Sequence, residues 1–275
     1  MGAASTTFEE FSKFESHRKD KLVRIHYGLK GDYRFQHHQL GQEFDLIGGH
    51  HNMMYSDGFG MTMENKSLEI ETFGIQIAPE HFCAIAQDSN STLETFAEKI
   101  EKGEPAILSQ NWGSLDLQME QVIHQVKSNQ FTGKLQSIFL YAKCLELLVL
   151  SAEACMRAEN RQNAFIKLDR DKEKLIAARD LVQSNLTAPL TLQEIATSVG
   201  LNTYKLKRGF KELFGETVFG YMTALRLSLA QQMLRDTQAQ ISQIALDLGY
   251  ATPQHFSNQF KQHFGFTPNS VRKNS

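Results

Sequence analysis

The feature that most restricts the fold of this chain is a tandem repeat in its last third. Ile195-Ala196, Gly200, Leu206, Phe210-Lys211 and Phe214-Gly215 recur as Ile244-Ala245, Gly249, Phe256, Phe260-Lys261 and Phe264-Gly265. The offset is 49 residues before a central glycine turn and 50 after it, so the second turn is one residue longer. Each copy carries apolar residues at helical spacing: Leu192, Ile195, Ala196 and Val199 in the first, Ile241, Ile244, Ala245 and Leu248 in the second. Thr191 and Glu194 have capping-box spacing, Gly200 and Gly249 end the first helix of each copy, and Asn202 or Thr252-Pro253 starts the next. Short paired helices joined through a glycine form a helix-turn-helix. Between the copies, Tyr221 to Arg235 contains neither proline nor glycine and aligns Leu225, Leu229 and Met233, which predicts one continuous connecting helix.

Charge separates this region from the rest. Residues 172–275 hold 12 Lys and Arg against 7 Asp and Glu, whereas residues 1–171 hold 17 against 24. A basic module joined to an acidic one points to nucleic-acid binding coupled to a second task. At 275 residues the chain is long enough for two cores. Its most apolar run, Ile138 to Leu150, is broken by Lys143 and Glu146 and is too short to span a bilayer. The amino terminus lacks a secretory pattern, so a cytoplasmic location is expected, and Cys83, Cys144 and Cys155 form no CxxC pair, so they are expected as reduced thiols.

On a helical wheel, Leu206, Phe210 and Leu213 share one side, while Tyr204, Lys207, Arg208 and Lys211 share the other. Gln254, Ser257, Asn258 and Lys261 hold the corresponding positions in the second copy. Arg pairs bidentately with guanine, Asn and Gln with adenine, and Lys with phosphate or guanine, so these side chains suit a helix in the major groove. With the helix-start residues Thr203 and His255, they make the candidate DNA-reading set. A polar outer face alone signifies only solvation; the shared phase in two copies and the positive charge favour DNA.

Residues from about 175 to 275 resemble the DNA-binding domain of the AraC/XylS family of bacterial transcription regulators. The resemblance is carried by LTLQEIATSVGLNTYKLKRGFKELFG, YMTALRLSLAQQML and ISQIALDLGYATPQHFSNQFKQHFGFTP, followed by Val271-Arg272. It implies seven helices, two motifs in successive major-groove segments of a double-stranded operator, Arg208 as the usual first-motif arginine, and RNA polymerase as a protein partner. Asn258 departs from the arginine often found in the second motif, and Val271 from the aromatic that usually precedes the final arginine.

Residues 21–82 alternate short apolar runs with turn signals: Leu22 to Tyr27, Gly31-Asp32, Phe35, Phe44 to Ile47, Asp57-Gly58 and Leu68 to Ile77. This is a many-stranded antiparallel pattern, a small barrel or sandwich. Helices are expected at 92–102, Leu115 to Lys127 and Phe131 to Arg157. The last aligns Leu135, Ile138, Phe139, Ala142, Leu145, Val149 and Ala152, a seam that serves either as a homodimer interface or as packing for the strands. Gly48 to Tyr55, Glu71 to Ile77 and Pro79-Glu80-His81-Phe82 resemble the sensing domains of the siderophore-regulator branch of the same family, the pyochelin-type activators. That resemblance implies a cupin-like pocket and control of iron or siderophore uptake genes.

The expected architecture is therefore α+β: a flexible segment 1–20, a cupin-like β-barrel with a helical dimerisation segment at 21–171, and an all-α domain with two helix-turn-helix motifs at 172–275. The expected function is an effector-responsive transcription regulator, with no cofactor and a small molecule or ferric siderophore as effector. A pocket is expected around Tyr55, Phe73 and Phe82, and Trp112 is expected in interdomain packing. One alternative is a DNA binder without a ligand. Another is a metal-dependent cupin enzyme using His37, His38, His50, His51 or His81 with Glu43, although adjacent strand residues face opposite sides and the spaced His-x-His of such enzymes is absent.

Overall fold

The computed structural model describes residues 2–46, 48–159 and 169–273. The chain divides into two compact units, Met1–Ala164 and Phe165–Ser275. Ile47, the last residue of one expected apolar run, lies outside the described residues.

The first unit opens with eight strands: β1 (Gly2–Thr7), β2 (Lys13–Arg18), β3 (Leu22–Lys30), β4 (Tyr33–His37), β5 (Gln42–Leu46), β6 (His50–Ser56), β7 (Phe59–Asn65) and β8 (Glu69–Ile77). Helices α1 (Pro79–Ala86) and α2 (Ser91–Glu101), the short strands β9 (Ala106–Ile107) and β10 (Gly113–Ser114), and helices α3 (Leu117–Lys127) and α4 (Gly133–Glu159) follow. The strands form two antiparallel sheets, one ordered β1-β8-β3-β6-β10 with β9 also on β6, the other β2-β7-β4-β5.

The cupin-like barrel expected from the sequence is not closed: among the described strands, no backbone ladder joins the two sheets. Large side chains hold them face to face instead, with Tyr33, Phe35, Leu46, Met54, Phe59, Ile70, Ile107 and Trp112 in the layer between. The expected flexible start is also corrected. β1 pairs with β8 and β2 with β7, each through six residue pairs. Strand pairing of this kind uses backbone groups and leaves little apolar signature; the β2 side chains are exposed except for a half-buried Ser16.

The opposite face of the larger sheet is covered by helices. Val23, Ile25, Tyr27, Met53, Tyr55, Phe73 and Ile75 pack there with Phe82, Phe96, Met119, Leu147 and Cys155. Tyr55, Phe73 and Phe82, expected to line a pocket, are core residues under α1 to α4. Helix amphipathicity is why the pocket expectation fails: the apolar faces of four helices need an apolar sheet face, and alternate residues of β3, β6 and β8 supply it. Trp112 likewise packs within its own unit, its ring 5.4 Å from Phe44 and 5.1 Å from His50.

The described part of the second unit contains seven helices: α5 (Asp169–Ser184), α6 (Leu192–Ser198), α7 (Thr203–Phe214), α8 (Val218–Asp236), α9 (Ile241–Asp247), α10 (Pro253–Phe264) and α11 (Pro268–Lys273). α5 runs across position 171/172, where the sequence suggested a division. α8 is the continuous connecting helix, but its buried stripe is Leu227, Ala230 and Leu234, and Leu229 is exposed. That stripe joins Ile244, Ala245, Leu248, Phe256, Phe260 and Val271 in one core.

Candidate DNA interface

Each motif is built by local chemistry first. Thr191 and Glu194 form the capping box of α6 in both directions. Asn202 accepts from the Lys205 backbone N–H at 2.8 Å to start α7, and Thr252 accepts from that of His255 at 3.2 Å to start α10, with Pro253 in its first turn. The turns between the paired helices contain Gly200 at φ +66° and Gly249 at φ +76°, a left-handed backbone that a side chain would strain.

Packing then fixes which face is free. In α7, Leu206, Gly209, Phe210, Leu213 and Phe214 are buried; Phe210 meets the Tyr221 ring edge-on and Phe214 meets it tilted. A β-carbon at Gly209 would lie 2.6 Å from Leu175 of α5, so α5 and α7 approach closely there. In α10, Phe256 and Phe260 are buried. What remains outward is the set expected from the sequence: Tyr204, Lys207, Arg208 and Lys211 are exposed and Thr203 half-exposed on α7, and Gln254, His255, Asn258 and Lys261 are exposed and Ser257 half-buried on α10.

The two faces share an internal organisation. Arg208 donates from Nη1 to the Tyr204 hydroxyl at 2.9 Å, and Gln254 donates from Nε2 to Asn258 Oδ1 at 3.2 Å. Both pairs are one helical turn apart at equivalent positions of the repeat, and each hydrogen bond orients the exposed polar groups of its helix. Lys205 points elsewhere, bonded to Asp171 at 3.0 Å. Of the two departures, Asn258 accepts from Gln254 and Val271 is buried in the second core; the final arginine, Arg272, donates to the Ala239 carbonyl.

Two cations that the sequence reading passed over touch the glycine turns. Lys174 of α5 donates to the Gly200 carbonyl at 2.7 Å, and the guanidinium of Arg226 on α8 lies against Gly249. The available signal was Arg226 itself, the one charged residue between Met222 and Leu234.

The histidines weighed as metal ligands are dispersed. On neighbouring positions of β6, His50 meets Tyr33 at 3.0 Å and the Trp112 ring between the sheets, whereas His51 meets Tyr27 on the helix side. His37 edges onto Phe59, His38 bonds Thr62 at 2.8 Å, His81 is exposed on α1, and Glu43 pairs with Arg34 at 3.2 Å. Among the described residues, no three His, Cys, Asp or Glu side chains converge on a metal-sized space.

Comparison with known proteins agrees with both units. A helix-turn-helix domain family matches residues 195–274, and the regulatory protein PchR N-terminal domain family matches residues 2–168, more than half of the chain. Over 124 residues the chain is 36% identical to regulatory protein PchR of Pseudomonas aeruginosa, covering 45% of this chain and 42% of that protein. It is 34% identical over 91 residues to regulatory protein SoxS of Escherichia coli, covering 33% of this chain and 85% of SoxS. A solved transcriptional regulator with an AraC-type DNA-binding domain from Chromobacterium violaceum matches at 34% identity and a TM-score of 0.36, over 39% of this chain and 96% of the other. The alignments span about four tenths of the length of the first curated relatives. With a PchR-type amino-terminal domain and an AraC-type pair of helix-turn-helix motifs, the chain belongs to the AraC family of DNA-binding transcription regulators, in its PchR-type branch.

Proposed function

We propose that this regulator reads an operator with α7 and α10 together, senses a small molecule through its first unit, and acts as an activator of uptake or metabolic genes with RNA polymerase as its protein partner. The observation that carries the reading is the pair of exposed, equally phased faces, Tyr204-Arg208-Lys211 and Gln254-Asn258-Lys261, on a basic module attached to a separate sheet-rich unit. A ferric siderophore is the effector class we favour, because the amino-terminal unit is of the PchR type.

The layer between the sheets supports a seat for that effector better than the helix-side core. There, the Tyr33 hydroxyl bridges His26 at 2.5 Å and His50 at 3.0 Å, and Phe35 and Trp112 wall the group at 6.1 and 6.0 Å from His26. His26, Phe44, Met61 and Met63 are only partly buried, and Trp112 Nε1 has no hydrogen-bond partner among the described residues. Aromatic walls with a few convergent polar groups suit a small ligand.

Homodimerisation through α4 is part of the same proposal. Leu135, Ile138, Ala142, Leu145 and Val149 follow heptad spacing, and Leu135 and Ile138 are each 65% exposed. A second copy would cover that seam. The test of the whole reading is genome-wide mapping of bound DNA with and without candidate ferric siderophores. Effector-dependent occupancy or transcription at a defined set of promoters is expected; occupancy and transcription indifferent to every candidate would leave a DNA binder without this effector.

A further inference from the structure

Arg226 lies at the middle of α8, the helix that links the two motifs, and is 7% exposed. Its Nε donates at 2.7 Å to the carbonyl of Leu186, in the segment between α5 and the cap of α6. A β-carbon on Gly249 would lie 2.9 Å from Arg226 Nη2 and 2.9 Å from the Thr187 carbonyl, so the second motif's turn rests directly on the guanidinium and on the strand of chain entering the first motif. The Arg226 Cζ also lies 5.9 Å from the ring of Tyr250, which packs in turn on His255 and Phe256 of α10. One planar group thus touches the approach to α6, the turn between α9 and α10, and the aromatic that supports the recognition helix.

The contact has a counterpart that explains its placement. Lys174 on α5 hydrogen-bonds the Gly200 turn of the first motif from the helix that precedes that motif, and Arg226 on α8 packs against the equivalent Gly249 turn of the second. Lys174, however, stays within one motif's own three-helix unit. Arg226 reaches both motifs, because its planar fork can face two directions at once where an ammonium is a single point charge.

We infer that Arg226 is the positioning residue that sets the separation and angle of the two recognition helices, and hence the spacing of operator elements this protein accepts. The apolar stripe Leu227, Ala230 and Leu234 binds α8 to the second motif without it. Nonpolar packing of that kind is non-directional, whereas the hydrogen bond from Arg226 Nε to Leu186 fixes the guanidinium on which the Gly249 turn is seated.

The inference rests on the two-motif reading of DNA, and the experiment separates the two. Full-length wild type and Arg226→Met are titrated with three duplexes: both elements at native spacing, both with one base pair inserted, and the first element alone. One inserted base pair turns the second element by about 35°. Wild type is expected to lose about tenfold in affinity on insertion, the scale of one lost base-pair contact. The variant is expected to lose less than about threefold, with affinity for the first element alone unchanged, because its helices no longer share one fixed geometry. A variant that unfolds like wild type and keeps the tenfold penalty overturns the role of Arg226 while leaving two-motif reading intact. Wild type indifferent to insertion overturns both. Arg226→Lys, which keeps the charge but not the fork, is read by the same criteria and decides the matter if the methionine variant does not fold.

Discussion

At the residue scale, the outward side chains of α7 divide by what they can touch. Arg208→Ala is expected to weaken operator binding by about 1 to 3 kcal/mol and to relax preference at one base pair. Lys211→Ala should weaken all sequences alike and reduce the salt slope by about one. Binding titrations over operator variants and salt concentrations check both; unchanged affinity and preference for Arg208→Ala would remove it from the reading set. His37 makes a second prediction, of pH dependence. It is fully buried, and its Nδ1 accepts from the Leu40 backbone N–H at 3.3 Å. Burial first, then the charge of nearby Arg24, lowers its pKa to about 4. The unfolded chain takes up that proton near pH 6.5, so the contribution of His37 is present above that pH and is lost as pH falls through about 4, up to about 3 kcal/mol. Thermal unfolding from pH 7 to 4 should show a shallower acid loss in His37→Leu than in wild type; equal slopes would assign the acid sensitivity elsewhere. The outward residues of α7 and α10 were legible in the sequence because exposure follows from helical phase. Arg226 and Trp112 were not, because what a buried polar group touches depends on chain far away.

At the element scale, paired recognition helices predict a rotational requirement. Inserting about five base pairs between the operator elements puts them on opposite faces of the duplex, and affinity should fall to that of one element. Gel-shift titration checks this, and full affinity after insertion would mean that α10 does not read sequence. A mutation separates the α4 seam from the core: Ile138 is exposed, so Ile138→Glu should leave the fold stable while shifting a dimer to monomer in sedimentation. A variant that sediments as wild type would assign no pairing role to this stretch. The motifs were readable element by element because caps and glycine turns act within a few residues. α8 shows the limit. Its sequence holds two overlapping apolar rows, Leu225-Leu229-Met233 and Leu227-Ala230-Leu234, and docking against Ile244 and Phe256 buries the second while only Met233 of the first packs partly buried on that core. β1 and β2 were missed for a related reason, since edge pairing by backbone asks little of the side chains.

At the scale of the whole molecule, division into two units predicts division of labour. Residues 165–275 include every described helix of the DNA-binding unit and the core between α8 and the second motif, so this fragment should bind the operator without responding to effector, while the full chain responds. A coupling of about 1 to 3 kcal/mol would change the full chain's DNA affinity by about 5 to 150-fold, and the same effector dependence in the fragment would refute the division. The sequence alone determined the two helix-turn-helix motifs, their tandem relation and their outward residues, since repeats, caps and helical phase are local properties written within a few turns of chain. The alternation of the strands likewise announced an antiparallel unit. Only the tertiary structure decided that its strands form two facing sheets rather than a closed barrel, that Tyr55, Phe73 and Phe82 belong to the helix-covered core, and that His50 and Trp112 meet between the sheets. A strand's pattern states that it has two faces; which partner covers each face depends on pairings between residues far apart in the chain.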